Sequence, residues 1–181
     1  MRIIGIDPGT ITTGFGIIEY DRNEIKHIHS GIISIPAVKD FAPRLQKIYD
    51  ELNLIIKKYK PDEFALETAF YGKNVQSALK IGYARGVSLL AAAHNGLPIK
   101  EYSPREIKKA VTGSGASTKE QVQYMIKKLT SINKKKIKFD ETDALAVAVC
   151  HAFKITSLTG VKKSRNWKEF VEANPDRVVH P

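Results

Sequence analysis

Four carboxylates occupy positions where the chain is predicted to pass from one element of secondary structure to the next. Asp7 ends an apolar run and is followed directly by Pro8-Gly9, so rigid backbone holds its side chain where the chain leaves a sheet. Glu67 ends a second apolar run, where a charge is costly unless it is paired or bound to a metal ion. Asp140 and Asp143 lie three residues apart at the start of a predicted helix, and this spacing places both carboxylates on one face.

Each of these acids also has a purely structural interpretation. Asp-Pro-Gly is ordinary turn chemistry, Glu67 could form a buried salt bridge, and Asp140 could cap a helix whose macrodipole favours acids. Taken together, however, the four acids form the oxygen-rich ligand set that Mg²⁺ prefers. Two such ions roughly 4 Å apart would stabilise the attacking water and the leaving oxygen of an in-line displacement at phosphorus. The predicted reaction is phosphodiester hydrolysis.

The strands that must position these acids can be read from short apolar runs bounded by turn residues. Five strands are predicted, over 2–6, 14–19, 25–35, 64–67 and 99–102. The first three follow one another through short polar turns, which indicates an antiparallel meander. Gly31 is expected to break the third strand.

The helices follow from apolar spacings of three and four and from capping residues. Helices are predicted over 41–59, 74–94 and 140–153, and Gly82 and Gly86 are expected to permit close packing of the second. Ser103 and Ser117 each begin a Ser-x-x-Glu capping box, so two further helices start there.

This order of elements predicts an α/β protein of the ribonuclease H-like fold. Its mixed sheet has five strands, three antiparallel and then two parallel, with helices on both faces. A single nuclease domain is predicted over 1–155, and the basic tail over 156–181 is either a short docking helix or partly disordered.

Composition narrows the setting in which the protein works. The longest uncharged apolar stretch, near 87–93, is far shorter than the roughly 20 residues that a membrane span needs, and no signal peptide is recognisable. Cys150 is the only cysteine, which excludes an internal disulfide and a cysteine-rich zinc site. A cytoplasmic protein without a membrane partner is expected.

The net charge of +10 is concentrated in one segment. Residues 100–138 contain eleven Lys and Arg against three acids, a patch that attracts a polyanion and releases its counterions. A solvated lysine-rich surface would have the same composition, so the charge alone does not decide between the two. Beside four candidate metal ligands, it favours nucleic acid as the partner.

The chain resembles the RuvC family of Holliday-junction resolvases from Arg2 to about Phe153. The segments that carry the resemblance are IIGIDPGTITTGFGII, ALETAFYGKNVQSALKIGYARGVSLLAAA, EYSPREIKKAVTGSGASTKEQVQ and DETDALAVAVCH, in the family's order and spacing. The resemblance implies that all four carboxylates bind metal, with two Mg²⁺ per active site and Mn²⁺ able to replace them. It also implies a homodimer that nicks a four-way DNA junction symmetrically, together with the branch-migration proteins RuvA and RuvB.

The resemblance further suggests which residues contact DNA. Phe70 matches the family's stacking wedge, and Tyr71 and Lys73 beside it suit contacts to an unpaired base and a phosphate. Lys108 and Lys119 match basic positions of the family, and Lys119 begins a helix whose free N–H groups also favour an anion. Without the family, an aromatic residue just after a strand is more often part of a core, and these lysines are ordinary surface residues.

The helix over 74–94 is the candidate dimer interface, because a two-fold symmetric junction suits an isologous pair of sites. An ordinary core helix would have the same small residues. Two other nuclease-fold interpretations remain open: an enzyme that cuts RNA or an RNA–DNA hybrid, and a module that binds junctions without cutting them. The loop from Asp7 to Thr12 also resembles the first phosphate loop of sugar kinases and actin-like ATPases, but no second glycine-rich Asp loop follows.

Overall fold

A computed structural model describes residues 1–22, 24–35, 40–68, 75–132 and 137–159. The elements in chain order are β1 Arg2–Asp7, β2 Thr12–Asp21, β3 Glu24–Ser34, α1 Ala42–Tyr59, β4 Glu63–Glu67, α2 Val75–His94, β5 Ile99–Tyr102, α3 Pro104–Thr112, α4 Lys119–Leu129 and α5 Phe139–Thr159. No helix in these ranges is both long enough and apolar enough to cross a bilayer.

The described strands form one sheet in the order β3-β2-β1-β4-β5. Strands β1, β2 and β3 pair antiparallel, whereas β4 pairs parallel with both β1 and β5. The prediction of a five-stranded mixed sheet is therefore confirmed. Strands β1 and β4 lie in its interior with both faces covered, which explains why their sequences are continuous apolar runs.

Helices cover both faces of the sheet, as predicted. On one face α1 and α2 enclose a core that includes Ile48, Leu52 and Phe64. On the other face α3, α4 and α5 enclose a second core that includes Ile126 and Leu145. Because α5 packs across β1 and β2, its first turn lies near the end of β1.

Three glycines, Gly5, Gly14 and Gly16, allow α5 to approach the sheet this closely. A Cβ atom on Gly14 of β2 would lie 2.0 Å from the backbone oxygen of Asp140, and one on Gly5 of β1 would lie 2.2 Å from that of Ala144. Real Cβ atoms do not make such contacts, so any larger residue would force the helix away from the sheet. The N-terminal turn of α5 therefore depends on the missing side chain at Gly14.

The prediction that Gly31 breaks the third strand is wrong. Strand β3 is continuous through this residue, which pairs with Phe15 of β2. A Cβ on Gly31 would lie 3.0 Å from the Phe15 ring, so the aromatic side chain occupies the space above the glycine. The irregularity of the ladder lies between Ile17 and Ile18 instead.

The predicted helix starts are right at one capping box and shifted by one residue at the other. Ser103 and Glu106 cap α3 as predicted. At α4 the capping pair is Thr118 with Gln121, because the Ser117 hydroxyl is buried and lies 2.7 Å from that of Thr112.

Two further expectations about helices need revision. No described atom lies within 4 Å of a Cβ built on Gly82 or Gly86, so neither glycine serves close packing within the described part of the chain. Helix α5 starts at Phe139, which places Asp140 inside the first turn, and it continues to Thr159.

Candidate active site

The ends of two parallel strands bring the first two candidate ligands together. Because β1 and β4 run parallel with Ile6 opposite Leu66, Asp7 and Glu67 leave the same edge of the sheet as neighbours. Both side chains line a pocket of about 230 Å³. Its other lining residues are Pro104, Ile107, Lys108, Lys119, Val122, Asp143 and Ala146. The pocket therefore joins acidic strand ends to basic residues of α3 and α4.

The first turn of α5 brings the other two candidate ligands to this place. Asp143 lines the pocket, and its Oδ2 accepts a hydrogen bond from Lys119 Nζ at 3.0 Å. Asp140 Oδ2 accepts a hydrogen bond from the Thr12 hydroxyl at 2.6 Å. Thr12 thus holds the side chain of Asp140, a contact that the sequence could not indicate because the two residues are 128 positions apart.

The carboxylates disfavour one another's ionised forms. Burial raises the pKa of Asp7 to about 7, and repulsion from Asp143 and Asp140 adds to the effect. Burial likewise raises the pKa of Glu67 to about 8, with repulsion from Asp7 and Asp143. The pKa of Asp143 is also raised, chiefly by burial, although Lys119 opposes the shift. The site thus concentrates negative charge that lacks full compensation.

Among the described residues, Lys119 places a positive charge directly beside these acids. Its hydrogen bond to Asp143 raises the pKa of the ammonium, and attraction to Asp7 and Asp140 acts in the same direction. The same ammonium lowers the pKa of Glu67. One cation therefore interacts electrostatically with all four acids and partly offsets their mutual repulsion.

The donor chemistry of the site fits a hard divalent cation. Carboxylate oxygens are the ligands that Mg²⁺ and Mn²⁺ favour, and a buried cluster of acids with raised pKa values is stabilised by such an ion. In this conformation, no three His, Cys, Asp or Glu side chains of the described ranges stand together as a ligand set. Asp140 and Asp143 instead accept their hydrogen bonds from Thr12 and Lys119.

The residues predicted to contact DNA divide into two groups. Lys108 and Lys119 both line the pocket, and Lys108 also lowers the pKa of Glu67. Lys119 is the first residue of α4, directly after the Thr118 cap. Phe70, Tyr71 and Lys73 lie outside the described residues.

The fold and the acidic pocket define a protein of the ribonuclease H-like class. Within that class, the family model for "Crossover junction endodeoxyribonuclease RuvC" matches residues 3–151. The chain belongs to this family, which confirms the resemblance drawn from its motifs.

Individual relatives agree with this assignment over nearly the whole chain. A crossover junction endodeoxyribonuclease RuvC of Chloroherpeton thalassium is 43% identical over 185 residues, covering 99% of this chain and 100% of the relative. One of Pelotomaculum thermopropionicum is 48% identical, covering 86% of this chain and 95% of the relative. Among solved structures, T. thermophilus RuvC in complex with Holliday junction substrate superposes with a TM-score of 0.82 at 28% identity, covering 88% and 97% of the two chains.

Proposed function

We propose that this protein is a structure-selective endonuclease that resolves four-way DNA junctions by symmetric phosphodiester hydrolysis. The observation that carries the proposal is a pocket lined by three of the four candidate carboxylates and by two lysines, in a chain of the RuvC family. The fourth carboxylate, Asp140, lies in the same turn of α5 as Asp143 and close enough to repel Asp7. A T. thermophilus member of that family has been solved with a Holliday junction substrate. Cleavage of this substrate requires a site that binds phosphate and activates water, and the pocket has groups for both.

In this proposal Asp7, Glu67, Asp140 and Asp143 hold two Mg²⁺ ions, which Mn²⁺ can replace. The ions, when bound, would supply an activated water and would stabilise the charge on the leaving oxygen. Asp7 and Glu67 must be deprotonated to bind them, so metal binding releases protons near neutral pH.

The two lysines of the pocket would bind the scissile phosphate. The side chain of Lys119 is 59% exposed, so it can turn from Asp143 towards a phosphate that enters from solvent. Lys108 lies on α3, on the same pocket. Phe70, Tyr71 and Lys73 follow Glu67 closely in the chain, and we propose them as the contacts to an unpaired base and to the neighbouring backbone.

One experiment separates this proposal from its rivals. A labelled four-way junction, a linear duplex and an RNA–DNA hybrid are each incubated with the protein in Mg²⁺ and in excess chelator. We expect paired nicks in the junction only, in Mg²⁺ only. Preferential cutting of the hybrid would identify an RNA-directed nuclease, and tight junction binding without nicks would identify a binding module. Equal cutting of all three substrates would overturn the proposal.

We further propose that the protein works as a homodimer and meets RuvA and RuvB on the junction. One face of α2 exposes apolar side chains to a degree unusual for a helix without a partner. The exposed fractions are 70% for Val75, 53% for Leu79, 53% for Tyr83 and 47% for Leu90. Gly82 and Gly86 are also exposed on this helix and leave room for close approach of a second copy.

Leu79→Asp is expected to convert the dimer into a monomer, because it would bury a charge in the proposed interface. Light scattering coupled to size-exclusion chromatography measures the mass directly. Leu54→Asp is the matched control, since Leu54 is also an exposed helical leucine (63%) but lies on α1. The α2 interface would be refuted by a Leu79→Asp protein that keeps the mass of the wild type.

A further inference from the structure

The first turn of α5 is held from several sides. Successive helical residues point about 100° apart, so four consecutive side chains cover the whole circumference of the helix. Each of the residues 140–143 has a side-chain partner on another element. The pairs are Asp140 with Thr12 of β2, Glu141 with Ser30 of β3, Thr142 with Gln123 of α4 and Asp143 with Lys119 of α4.

Glu141 differs from its acidic neighbours Asp140 and Asp143 because it is not a candidate metal ligand and its partner lies on β3. Its side chain is buried, with 7% of the residue exposed, and Oε1 accepts a hydrogen bond from the Ser30 hydroxyl at 2.7 Å. Ser30 is itself only 2% exposed. A buried carboxylate is costly unless it is well bonded, so the geometry of this contact is narrowly constrained.

An irregularity in the sheet places Ser30 where it can reach α5. Ile17 pairs with His29 and Ile18 pairs with His27, so Ile28 is an extra residue of β3 in the ladder. Such a bulge reverses the alternation of side chains, and it puts His27 and Ser30 on the same face although they lie three residues apart. His27 Nε2 is 2.7 Å from the Ser30 hydroxyl oxygen. The hydroxyl can therefore accept from His27 while it donates to Glu141.

The Ser30–Glu141 contact also differs from two neighbouring contacts because it does not involve a candidate metal ligand. Thr12 and Lys119 bond to oxygens of Asp140 and Asp143, the atoms that would coordinate metal in the proposed function. Those two bonds would compete with a bound ion. The bond from Ser30 uses no candidate ligand, so it can hold the turn both before and after metal binds.

We propose that Ser30, supported by His27, is a positioning residue for the metal site. Acting through Glu141, it sets the rotation of the first turn of α5 and so aims Asp140 and Asp143 at the ions. This inference rests on the proposed function, since it concerns the same four carboxylates. It adds a residue of β3, a strand that supplies none of the candidate ligands.

The test is Ser30→Ala, which removes the donor. Direct Mn²⁺ binding, followed by electron paramagnetic resonance of the free ion, is expected to weaken by about 10- to 100-fold, the usual range for outer-shell partners of a metal site. The kcat for junction cleavage at a fixed Mn²⁺ concentration falls by a similar factor, whereas the junction Kd in chelator stays within twofold.

Glu141→Gln keeps an oxygen that accepts from Ser30, so it should retain Mn²⁺ affinity within about threefold, while Glu141→Ala should not. Ser88→Ala is the matched control, because this buried hydroxyl bonds only to the Ala84 carbonyl of its own helix among the described contacts.

A second variant guards against a failure to fold. Ser30→Ala combined with Glu141→Met removes the buried carboxylate together with its Ser30 donor, so the protein should remain folded, as melting curves would check, and yet lose Mn²⁺ affinity. Retained affinity and kcat within twofold in this variant would overturn the inference and leave the contact a purely structural one. If the wild type neither binds Mn²⁺ nor cuts the junction, the proposed function itself fails, before any variant is compared.

Discussion

Replacing Asp7 by Asn is expected to lower the rate of junction cleavage by about 10³-fold or more and to leave junction affinity unchanged or higher. Loss of one carboxylate disrupts metal binding, which is worth several kcal/mol of transition-state stabilisation. It also removes a negative charge that repels the phosphate backbone. The measurements are single-turnover cleavage in Mg²⁺ and junction binding in chelator.

The same variant should stabilise the metal-free protein at alkaline pH. In the folded protein the pKa of Asp7 is about 7, against an ordinary value of 3.8. As the pH rises above about 3.8, Asp7 ionises in the unfolded chain but stays protonated in the folded protein, so the free energy of unfolding falls. The stability that this carboxyl contributes is therefore fully present below about pH 3.8 and is lost as the pH rises through 7. Asn does not ionise, so Asp7→Asn avoids a loss of a few kcal/mol, or on the order of 10 °C in melting temperature, at pH 8. At pH 4 the gain should almost disappear.

Asp50→Asn is the matched control, since Asp50 is an exposed acid on α1 with the same change in charge. It should leave the rate of junction cleavage unchanged. Loss of junction binding in Asp7→Asn would show that Asp7 is a structural turn residue. An unchanged cleavage rate would remove it from the metal site altogether.

The part of this site that could be predicted from the sequence is the part that local patterns determine. Apolar runs mark β1 and β4 as interior strands, and a parallel pair necessarily brings Asp7 and Glu67 to one edge. Asp140 and Asp143 lie on one face of α5 because helical spacing brings residues three apart to the same side. None of these inferences needed a long-range contact beyond the pairing of two strands.

The contacts that hold the acids in place could not be predicted in the same way. Thr12 bonds to a residue 128 positions away, and Ser30 to one 111 positions away, so no local pattern connects either pair. The first residue of α4 also depends partly on a tertiary contact. Ser117 to Glu120 and Thr118 to Gln121 both have the form of a capping box, and the tertiary contact between Ser117 and Thr112 decides between them.

The predictions about Gly31, Gly82 and Gly86 were wrong because they too depend on tertiary contacts. A glycine in a pattern shows that a side chain is missing, but the neighbour that needs the space is known only from the fold. Gly31 lies under the Phe15 ring rather than in a strand break, and Gly82 faces outward. Gly14, which the sequence marks only as the start of a predicted strand, permits the closest approach of α5.

Gly14→Ala should therefore reduce cleavage strongly although no ligand is changed. The added Cβ would lie 2.0 Å from the backbone oxygen and 2.7 Å from the carbonyl carbon of Asp140, and backbone cannot yield as a flexible side chain does. The first turn of α5 must move outward by an ångström or so, and a displacement of this size can cost about 10²-fold in rate. Overpacking should also lower the free energy of unfolding by about 1–3 kcal/mol.

Two measurements on Gly14→Ala distinguish misplacement of the ligands from loss of fold. Urea unfolding gives the stability, and single-turnover cleavage is measured at a temperature where the variant is fully folded. Gly115→Ala serves as an overpacking control, because its Cβ would lie 2.6 Å from Arg105 Cγ and 3.2 Å from the Arg105 backbone oxygen, and none of these atoms belongs to α5. Its stability should also fall, whereas its cleavage rate should stay within about threefold of wild type. Were folded Gly14→Ala to cleave at the wild-type rate, the close approach of α5 to β2 would not be what places Asp140, and the positioning would have to come from its side-chain bonds alone.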